Sequence, residues 1–173
     1  MQHFCGYFGF SENKPGLPIA VELNKDSVFT AKHSPEVIFI ENSEGLIIST
    51  PAIRFKSQKS KAALEHLLDD LNGDKRARTA TLAKTTGHYC LAYMDKASNT
   101  IYLATDKVGT QPLYFSATEK GFFFGNKLKD ILAMAPDLKT ISHQSIYQYI
   151  YFHCIPAPDT IYRDIKKLKA GEL

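Results

Sequence analysis

One segment of the chain carries a clear helical pattern of apolar and polar positions. Within Ala62–Leu71 the apolar side chains recur at a spacing that places them on one face of a helix, and these side chains are Ala63, Leu64, Leu67, Leu68 and Leu71. The Asn72-Gly73 that follows is a typical helix stop. We therefore predict an amphipathic helix that packs this face on a sheet. The polar segment 74–84 predicts a loop.

Short runs rich in β-branched and aromatic residues predict strands on both sides of this helix. The aromatic and glycine-rich segment 4–10 predicts the first strand. The runs 37–40 and 46–49 are separated by Asn, Ser and Gly, a composition typical of a hairpin. Four more runs follow the helix at 88–93, 100–104, 113–116 and 121–125, and their short connections predict an antiparallel meander. The residues expected in the buried sheet faces are Leu91, Tyr93, Ile101, Leu103, Leu113 and Phe123.

The last third of the chain predicts helices and then irregular structure. Helices are predicted over 128–134 and 142–150, with Ser142 as the N-cap of the second. The tail 154–173 contains two prolines and predicts irregular structure with a short strand at 160–162. The order of strands, helix, strands and helices favours an α+β fold over a βαβ sheet.

Composition and charge exclude several classes of partner and site. The 173 residues are 44% hydrophobic and 23% charged, which fits one domain with a sizeable core. The net charge is only +3 and the basic residues are sparse, so we expect no nucleic-acid partner. No segment is typical of a signal peptide or of a membrane span, so we expect no membrane partner and a cytoplasmic location. The three cysteines form no CxxC pair, so we expect no metal site.

The segment from Gly87 onward resembles a known family. The stretch GHYCLAYMDKASNTIYLATDKVGTQPLYF is similar to the second half of the glutaminase domain of asparagine synthetases, where one strand is followed by an Arg-Asp-x-x-Gly-x-x-Pro-Leu-Tyr-Tyr signature. The segments GFFFGNKLKDILA and SIYQYIYFHCIPAPDTIYRDIKKLKAGEL extend the resemblance to 87–173, and the opening CGYFGF resembles the family's Cys-Gly-Ile-x-Gly start. The counterparts in the first stretch are Gly87, Tyr93, Asp95, Asp106, Gly109, Pro112, Leu113, Tyr114 and Phe115.

The resemblance implies a fold and a reaction. The fold is the N-terminal-nucleophile amidotransferase fold, a four-layer αββα sandwich of two antiparallel sheets, which belongs to the α+β class. The reaction is hydrolysis of glutamine to glutamate and ammonia by a cysteine that uses its own free α-amine as the base. An Asn side chain and a Gly backbone N–H hold the tetrahedral intermediate, and an Arg binds the α-carboxylate of the substrate.

Cys5 is the candidate nucleophile, but four residues precede it. Its nitrogen then lies in a peptide bond and cannot take the thiol proton, so Cys5 is a candidate only if residues 1–4 are removed. Arg54 is a weak candidate for the substrate arginine, because its distance from Cys5 along the chain fits and its neighbours do not match. A surface arginine at a strand end explains it better.

The signature motif is interpreted as structural. Gly109 allows a positive φ, Pro112 restricts the backbone before the strand, and Leu113 and Tyr114 alternate across the sheet. Asp106 is suited to accept hydrogen bonds from the amides of the turn.

The remaining parts of the glutamine site have no clear counterpart. The family's His-Arg-Gly-Pro-Asp segment, its Asn-Gly-Glu-Ile-Tyr-Asn loop and its Ser-Asp-x-Glu element are missing, and Thr105 stands where the family has Arg. Two hypotheses therefore stay open. In the first, which the missing groups favour, the domain is a degenerate, non-catalytic scaffold. In the second, it is an active glutaminase once residues 1–4 are removed and Cys5 is exposed.

The resemblance also sets expectations about partners and cofactors. We expect residues 1–173 to be one glutaminase-like domain of a longer protein, followed beyond residue 173 by a synthetase domain as its partner in the same chain. ATP and Mg²⁺ are implied for that synthetase domain only, because no Gly-rich phosphate loop occurs in this sequence and no cofactor is expected here. Glutamine binding and homodimer formation are left open.

Overall fold

The computed structural model describes residues 2–9, 20–22, 29–73 and 76–173. The strands in these segments are β1 (Phe4–Gly9), β2 (Ala20–Glu22), β3 (Phe29–His33), β4 (Ile38–Glu41), β5 (Gly45–Ser49), β6 (Ala52–Phe55), β7 (Gln58–Lys59), β8 (Thr86–His88), β9 (Cys90–Asp95), β10 (Thr100–Thr105), β11 (Tyr114–Thr118), β12 (Gly121–Gly125) and β13 (Lys166–Lys167). The α-helices are α1 (Ser60–Gly73), α2 (Arg78–Leu82), α3 (Leu128–Met134) and α4 (His143–Phe152), and a 3₁₀ turn spans Pro136–Leu138.

The strands form two five-stranded sheets and one three-stranded sheet. The first sheet has the order β13-β11-β12-β1-β3, and the second sheet has the order β2-β10-β9-β5-β4. The small sheet has the order β7-β6-β8. The strand pairs in all three sheets are antiparallel. Antiparallel sheets with separate helices are the features of an α+β protein, so the predicted class is confirmed.

Three clusters of buried side chains hold these elements together. One cluster lies between the two five-stranded sheets and includes Phe4 and Phe124 from the first sheet and Ile48 and Ala92 from the second. A second cluster packs α1 on the second sheet through the five predicted residues, all of which are buried. A third cluster packs Ile131 of α3 against the first sheet. The two five-stranded sheets therefore pack on each other, and each also contacts a helix.

Most of the predicted elements are present. The helix predicted over 62–71 is the central part of α1, which ends at Gly73. The predicted hairpin is β4 and β5, and the Asn42 side chain accepts hydrogen bonds from the backbone N–H groups of Glu44 and Gly45 in its turn. The oxygen of the Ser142 side chain accepts from the backbone N–H of Ser145 at 3.2 Å, so the predicted N-cap of α4 is confirmed. The six side chains predicted for the buried sheet faces are all buried. Phe10 of the predicted first strand lies outside the described residues.

The predicted meander is wrong in its second half. Strands β9 and β10 pair in the second sheet, whereas β11 and β12 pair in the first. The chain crosses from one sheet to the other between β10 and β11. Leu113, at the end of this crossing, is fully buried in the cluster between the sheets.

Two further local predictions are also wrong. The segment predicted as a loop contains α2, which begins at Arg78. The strand predicted at 160–162 is only an isolated bridge between Ile141 and Tyr162, and the strand in this region is β13. The Thr160 hydroxyl donates to the carbonyl oxygens of Tyr162 and Ile165, which bends the chain locally instead of extending it.

Candidate active site

Cys5 lies in the middle of the first sheet and is buried. It sits on β1, opposite Gly125 of β12. Successive side chains of a strand point to opposite faces, and Phe4 points into the cluster between the sheets, so Cys5 faces the side on which α3 packs. A Cβ at position 125 would lie 3.0 Å from the Cβ of Cys5, so the thiol fits this site because its cross-strand neighbour is glycine.

The residues in front of Cys5 are held by Asn126. The backbone N–H of Phe4 donates to the side-chain oxygen of Asn126 at 2.9 Å, and the carbonyl oxygen of Phe4 accepts from the backbone N–H of Asn126 at 3.1 Å. The side-chain nitrogen of Asn126 donates to the carbonyl oxygen of Gln2 at 3.2 Å. Asn126 is buried, and Phe4 is fully buried between the two sheets. Phe4 is therefore part of the sheet that carries Cys5, and Gln2 is hydrogen-bonded to the end of the neighbouring strand through Asn126.

His3 ties the same segment to two other parts of the fold. Its backbone N–H donates to the Ser34 hydroxyl at 3.2 Å, and its carbonyl oxygen accepts from the backbone N–H of Ser34 at 2.9 Å. Its ring Nδ1 lies 3.3 Å from the Asp130 carboxylate in the first turn of α3. Sequence reasoning missed this contact, because the two residues are far apart in the chain and neither was a candidate site residue.

The signature motif is organised around the Asp106 carboxylate. The oxygens of this carboxylate accept from the backbone N–H of Val108 at 3.0 Å, from the Thr110 hydroxyl at 2.6 Å and from the backbone N–H of Tyr89 at 3.3 Å. Burial alone would raise the pKa of Asp106, but the hydrogen bonds from Thr110 and Val108 outweigh it, so that the pKa lies below its usual value. The ionised carboxylate therefore holds the turn that follows β10.

The rest of the motif packs this turn against the end of the described chain. Gly109 has a φ of 70°, and a Cβ at this position would lie 3.2 Å from the Cα of Ala170. The carbonyl oxygen of Leu113 accepts from the backbone N–H of Leu168 at 2.9 Å. Tyr114 pairs with Gly125 of β12, so it is close to the strand position opposite Cys5. Pro112 lines a surface cavity of about 440 Å³ together with Gly109, Tyr114, Leu168 and Ala170.

Asp95, another residue of the resemblance, belongs to a buried ion pair. Arg78 Nη1 lies 2.7 Å from the Asp95 carboxylate, and both side chains are buried. The guanidinium also lies 5.6 Å from the ring centre of Tyr93 and 5.9 Å from that of Tyr102. Burial raises the pKa of Asp95, while hydrogen bonds from Ser98 and Arg78 lower it more, and the net pKa is lowered. The pair fixes the first turn of α2 to the second sheet, and sequence reasoning missed Arg78.

Arg54 and Cys5 are in different sheets. Arg54 is on β6 in the small sheet, opposite Lys59 and Thr86, and its side chain is exposed. Its role as a substrate arginine stays a prediction that the fold does not test.

The two other cysteines occupy contrasting environments. Burial raises the pKa of the Cys90 thiol to about 12, so this thiol stays protonated at neutral pH. Cys154 is exposed, just after the end of α4.

Among the described residues, no group of three or more His, Cys, Asp or Glu side chains is arranged to hold a metal ion. Within the same part of the chain, no helix is long and apolar enough to cross a membrane.

Comparison with known proteins assigns the chain to a family. The model of the glutamine amidotransferase domain family matches residues 55–173, which is well over half of the chain. The match begins upstream of Gly87, so it includes β7, α1 and α2, which the resemblance in the sequence did not cover. Cys5 and Arg54 lie outside the matched residues.

Similar proteins are asparagine synthetases. The chain is 26% identical over 89 residues to asparagine synthetase [glutamine-hydrolyzing] 1 of Bacillus subtilis, covering 51% of this chain and 14% of that protein. It is 30% identical over 88 residues to putative asparagine synthetase [glutamine-hydrolyzing] 2 of Methanocaldococcus jannaschii, covering 50% of this chain and 17% of that protein. The chain thus spans only a small part of the relatives that it matches. It belongs to the family of glutamine amidotransferase domains and is a glutaminase-like domain of the asparagine synthetase type.

Proposed function

We propose that this chain is a degenerate glutaminase-like domain that does not hydrolyse glutamine and serves as a structural part of an asparagine-synthetase-type protein. The observation that carries the proposal is the position of Phe4. It occupies the position directly before the candidate nucleophile, it is fully buried between the sheets, and Asn126 binds both its N–H and its carbonyl oxygen.

The chemistry of the thiol supports this proposal. With Phe4 in place, the nitrogen of Cys5 is an amide, and an amide nitrogen cannot accept the thiol proton. In the family's reaction the free α-amine of the cysteine is the base that takes the thiol proton, and Cys5 has no such amine while Phe4 precedes it. Asn126 follows Gly125, the strand partner of Cys5, and in this structure its side-chain oxygen accepts from the Phe4 N–H while its side-chain nitrogen donates to the Gln2 carbonyl oxygen.

We propose the four-layer αββα arrangement of the N-terminal-nucleophile amidotransferases for this domain. The support comes from the order of the three clusters: α1 on the second sheet, the second sheet on the first, and the first sheet on α3. In this arrangement the turn held by Asp106 has a structural role, since it carries the chain from one sheet to the other.

The second candidate function is an active glutaminase produced by removal of residues 1–4. One observation favours it: loss of Gln2 and Phe4 would free the side-chain amide of Asn126 beside a newly exposed α-amine of Cys5. A free amide N–H₂ group is the kind of donor that stabilises an oxyanion. Against this stands the loss of a fully buried phenylalanine from the core.

In the protein that we propose, a synthetase domain accompanies this one. The support is that curated relatives match this chain over only 14–17% of their own length. ATP and Mg²⁺ would bind in that synthetase domain, which would form an amide from a carboxylate. The glutaminase-like domain would then contribute contacts, and the nitrogen would reach the synthetase domain from a source other than glutamine hydrolysed at Cys5.

The intact mass of the protein purified from cells tests the proposal. We expect a chain that retains Gln2, His3 and Phe4, with or without Met1. A mature chain that begins at Cys5 would overturn the proposal and support the active glutaminase. The Asn126→Ala variant is the control. It removes the side-chain contacts that hold Gln2 and Phe4, and we expect the mass of its purified chain to show that residues 2–4 are still present.

A further inference from the structure

A cavity beside the turn that follows β10 combines apolar walls with polar side chains. Its volume of about 440 Å³ lies within the roughly 300–1,000 Å³ of sites that hold small molecules. The turn forms one wall through Val108 and Pro112, and the end of the described chain forms another through Leu168 and Ala170. These four side chains are apolar. Cys5 is not among the described residues that line the cavity, so a ligand bound there would not need a reactive thiol.

Lys167 and Tyr114 line this cavity from neighbouring strands. Lys167 on β13 lies directly opposite Tyr114 on β11. Directly opposite residues place their side chains on the same face of a sheet, with Cβ atoms about 4.5–5.5 Å apart. The Lys167 ammonium and the Tyr114 hydroxyl can therefore reach the same bound group. Gln111 lines the cavity from the turn and adds a side-chain amide.

The polar ends of these three side chains are available to a ligand. Within the described residues, the Tyr114 hydroxyl and the Gln111 side-chain amide make no hydrogen bond. The Lys167 ammonium has three donors, and in the same part of the chain it donates only to the Ile155 carbonyl oxygen, at the long distance of 3.5 Å. Burial raises the pKa of Tyr114, so its hydroxyl stays protonated and able to donate at neutral pH.

We propose that this cavity binds a small organic monocarboxylate. The carboxylate oxygens accept hydrogen bonds from the Lys167 ammonium and the Tyr114 hydroxyl, and the carbon body of the ligand contacts the apolar walls. Among the described residues that line the cavity, Lys167 is the one charged side chain, so a ligand with a single negative charge matches it. A hydrogen bond between an ammonium and a carboxylate is charge-assisted and is stronger than a neutral one.

Two other classes of ligand fit the cavity less well. A phosphate monoester carries a charge of about −1.5 to −2 at pH 7, which a single lysine does not balance. A free amino acid such as glutamine carries an α-ammonium as well as a carboxylate. The described lining residues include no Asp or Glu that would pair with that ammonium. The cavity is therefore distinct from a glutamine site.

A nuclear magnetic resonance titration of the 173-residue chain with sodium benzoate, and separately with sodium butyrate, tests the proposal. The backbone amide signals of Gly109, Gln111 and Leu168 would be followed at constant ionic strength. We expect saturable shifts with a Kd in about the millimolar range, as is usual for so few ligand atoms. Benzamide has the shape of benzoate without its charge, and it should bind at least about tenfold more weakly. Inorganic phosphate and glutamine should also bind more weakly than benzoate.

Substitutions at adjacent lysines separate this site from a general attraction of anions. Lys167→Met removes the charge and keeps an apolar stem, and it should weaken benzoate binding at least about tenfold. Tyr114→Phe removes only the hydroxyl and should weaken binding by a smaller factor. Lys166→Met is the matched control, because the Lys166 ammonium lies 2.9 Å from Asp159 and Lys166 does not line the cavity. This control should bind benzoate as the wild type does. Circular dichroism would show that each variant is folded.

Three results would overturn the proposal. The first is the absence of saturable shifts with both benzoate and butyrate. The second is binding of benzamide, phosphate or glutamine at least as tightly as benzoate, which would show that a single negative charge is not what the cavity recognises. The third is a wild-type affinity for benzoate in both Lys167→Met and Tyr114→Phe, or an equal loss of affinity in Lys166→Met and Lys167→Met.

Discussion

Removal of residues 1–4 should strongly destabilise the domain. Phe4 is fully buried between the two sheets, and loss of a buried phenylalanine side chain typically costs about 3–5 kcal/mol. A chain that begins at Cys5 also loses the three hydrogen bonds between Asn126 and the Gln2–Phe4 segment, each of which contributes about 1 kcal/mol. Allowing for relaxation, we expect a loss of at least about 4 kcal/mol, which is a large part of the 5–15 kcal/mol typical of a domain.

Equilibrium unfolding in urea measures this loss. The full chain, the chain that begins at Cys5 and the variant Phe4→Ala would be compared under the same conditions. Phe4→Ala keeps the backbone hydrogen bonds, so its loss should be smaller than that of the shortened chain. If the shortened chain is as stable as the full chain to within about 1 kcal/mol, residues 1–4 are a dispensable leader and the reasoning from Phe4 is refuted.

Three further substitutions test the core and the buried charges through the free energy of unfolding. Leu103→Ala should cost about 2–5 kcal/mol, and an unchanged denaturant midpoint would show that this side chain does not fill the core between the sheets. Arg78→Ala should cost about 3–5 kcal/mol because it leaves the Asp95 carboxylate buried without its partner, and a loss below about 1 kcal/mol would contradict that pairing. The pKa of Asp106 is lowered in the folded protein, so the ionised carboxylate stabilises the fold above the unfolded-state pKa of about 3.9. This stabilisation is lost as the pH falls through the folded-state pKa. The difference in free energy of unfolding between wild type and Asp106→Asn should therefore be smaller at about pH 3 than at about pH 6. A gap that is equal at both pH values would contradict the role of the ionised carboxylate.

The parts of the fold that the sequence predicted depend on local patterns. The stripe of leucines in α1 and the turn residues of the β4–β5 hairpin act within a few residues, so their effect is visible in the sequence. The route of the chain between the sheets was not predictable in this way. Strands β10 and β11 are close in the chain and each has an ordinary strand pattern, and their separation into two sheets depends on which partners each strand meets.

In the candidate site, too, some features were visible in the sequence and others depend on contacts between residues that are distant in the chain. Cys5 and the Asp106 motif are recognisable because they resemble family segments, and the recognition of the family is confirmed by the match over residues 55–173. The contacts that hold the residues before Cys5 come from Asn126, which is 122 positions from Phe4 in the chain. Arg78 lies in the polar segment that was predicted as a loop, and its burial depends on the Asp95 carboxylate of the second sheet. Such contacts exist only once the sheets have formed.

Ammonia release from glutamine tests the proposed loss of activity most directly. The assay would compare the full chain with the chain that begins at Cys5, and each with its Cys5→Ala counterpart as the control. We expect no release above the control from the full chain, because the Cys5 nitrogen is an amide. We expect little from the shortened chain, because the family's Asn-Gly-Glu-Ile-Tyr-Asn loop has no counterpart in this sequence. The loss of one oxyanion donor alone typically costs about 10²–10³ in rate. Brisk release by either chain that disappears with Cys5→Ala would show a working glutaminase and would contradict the proposal.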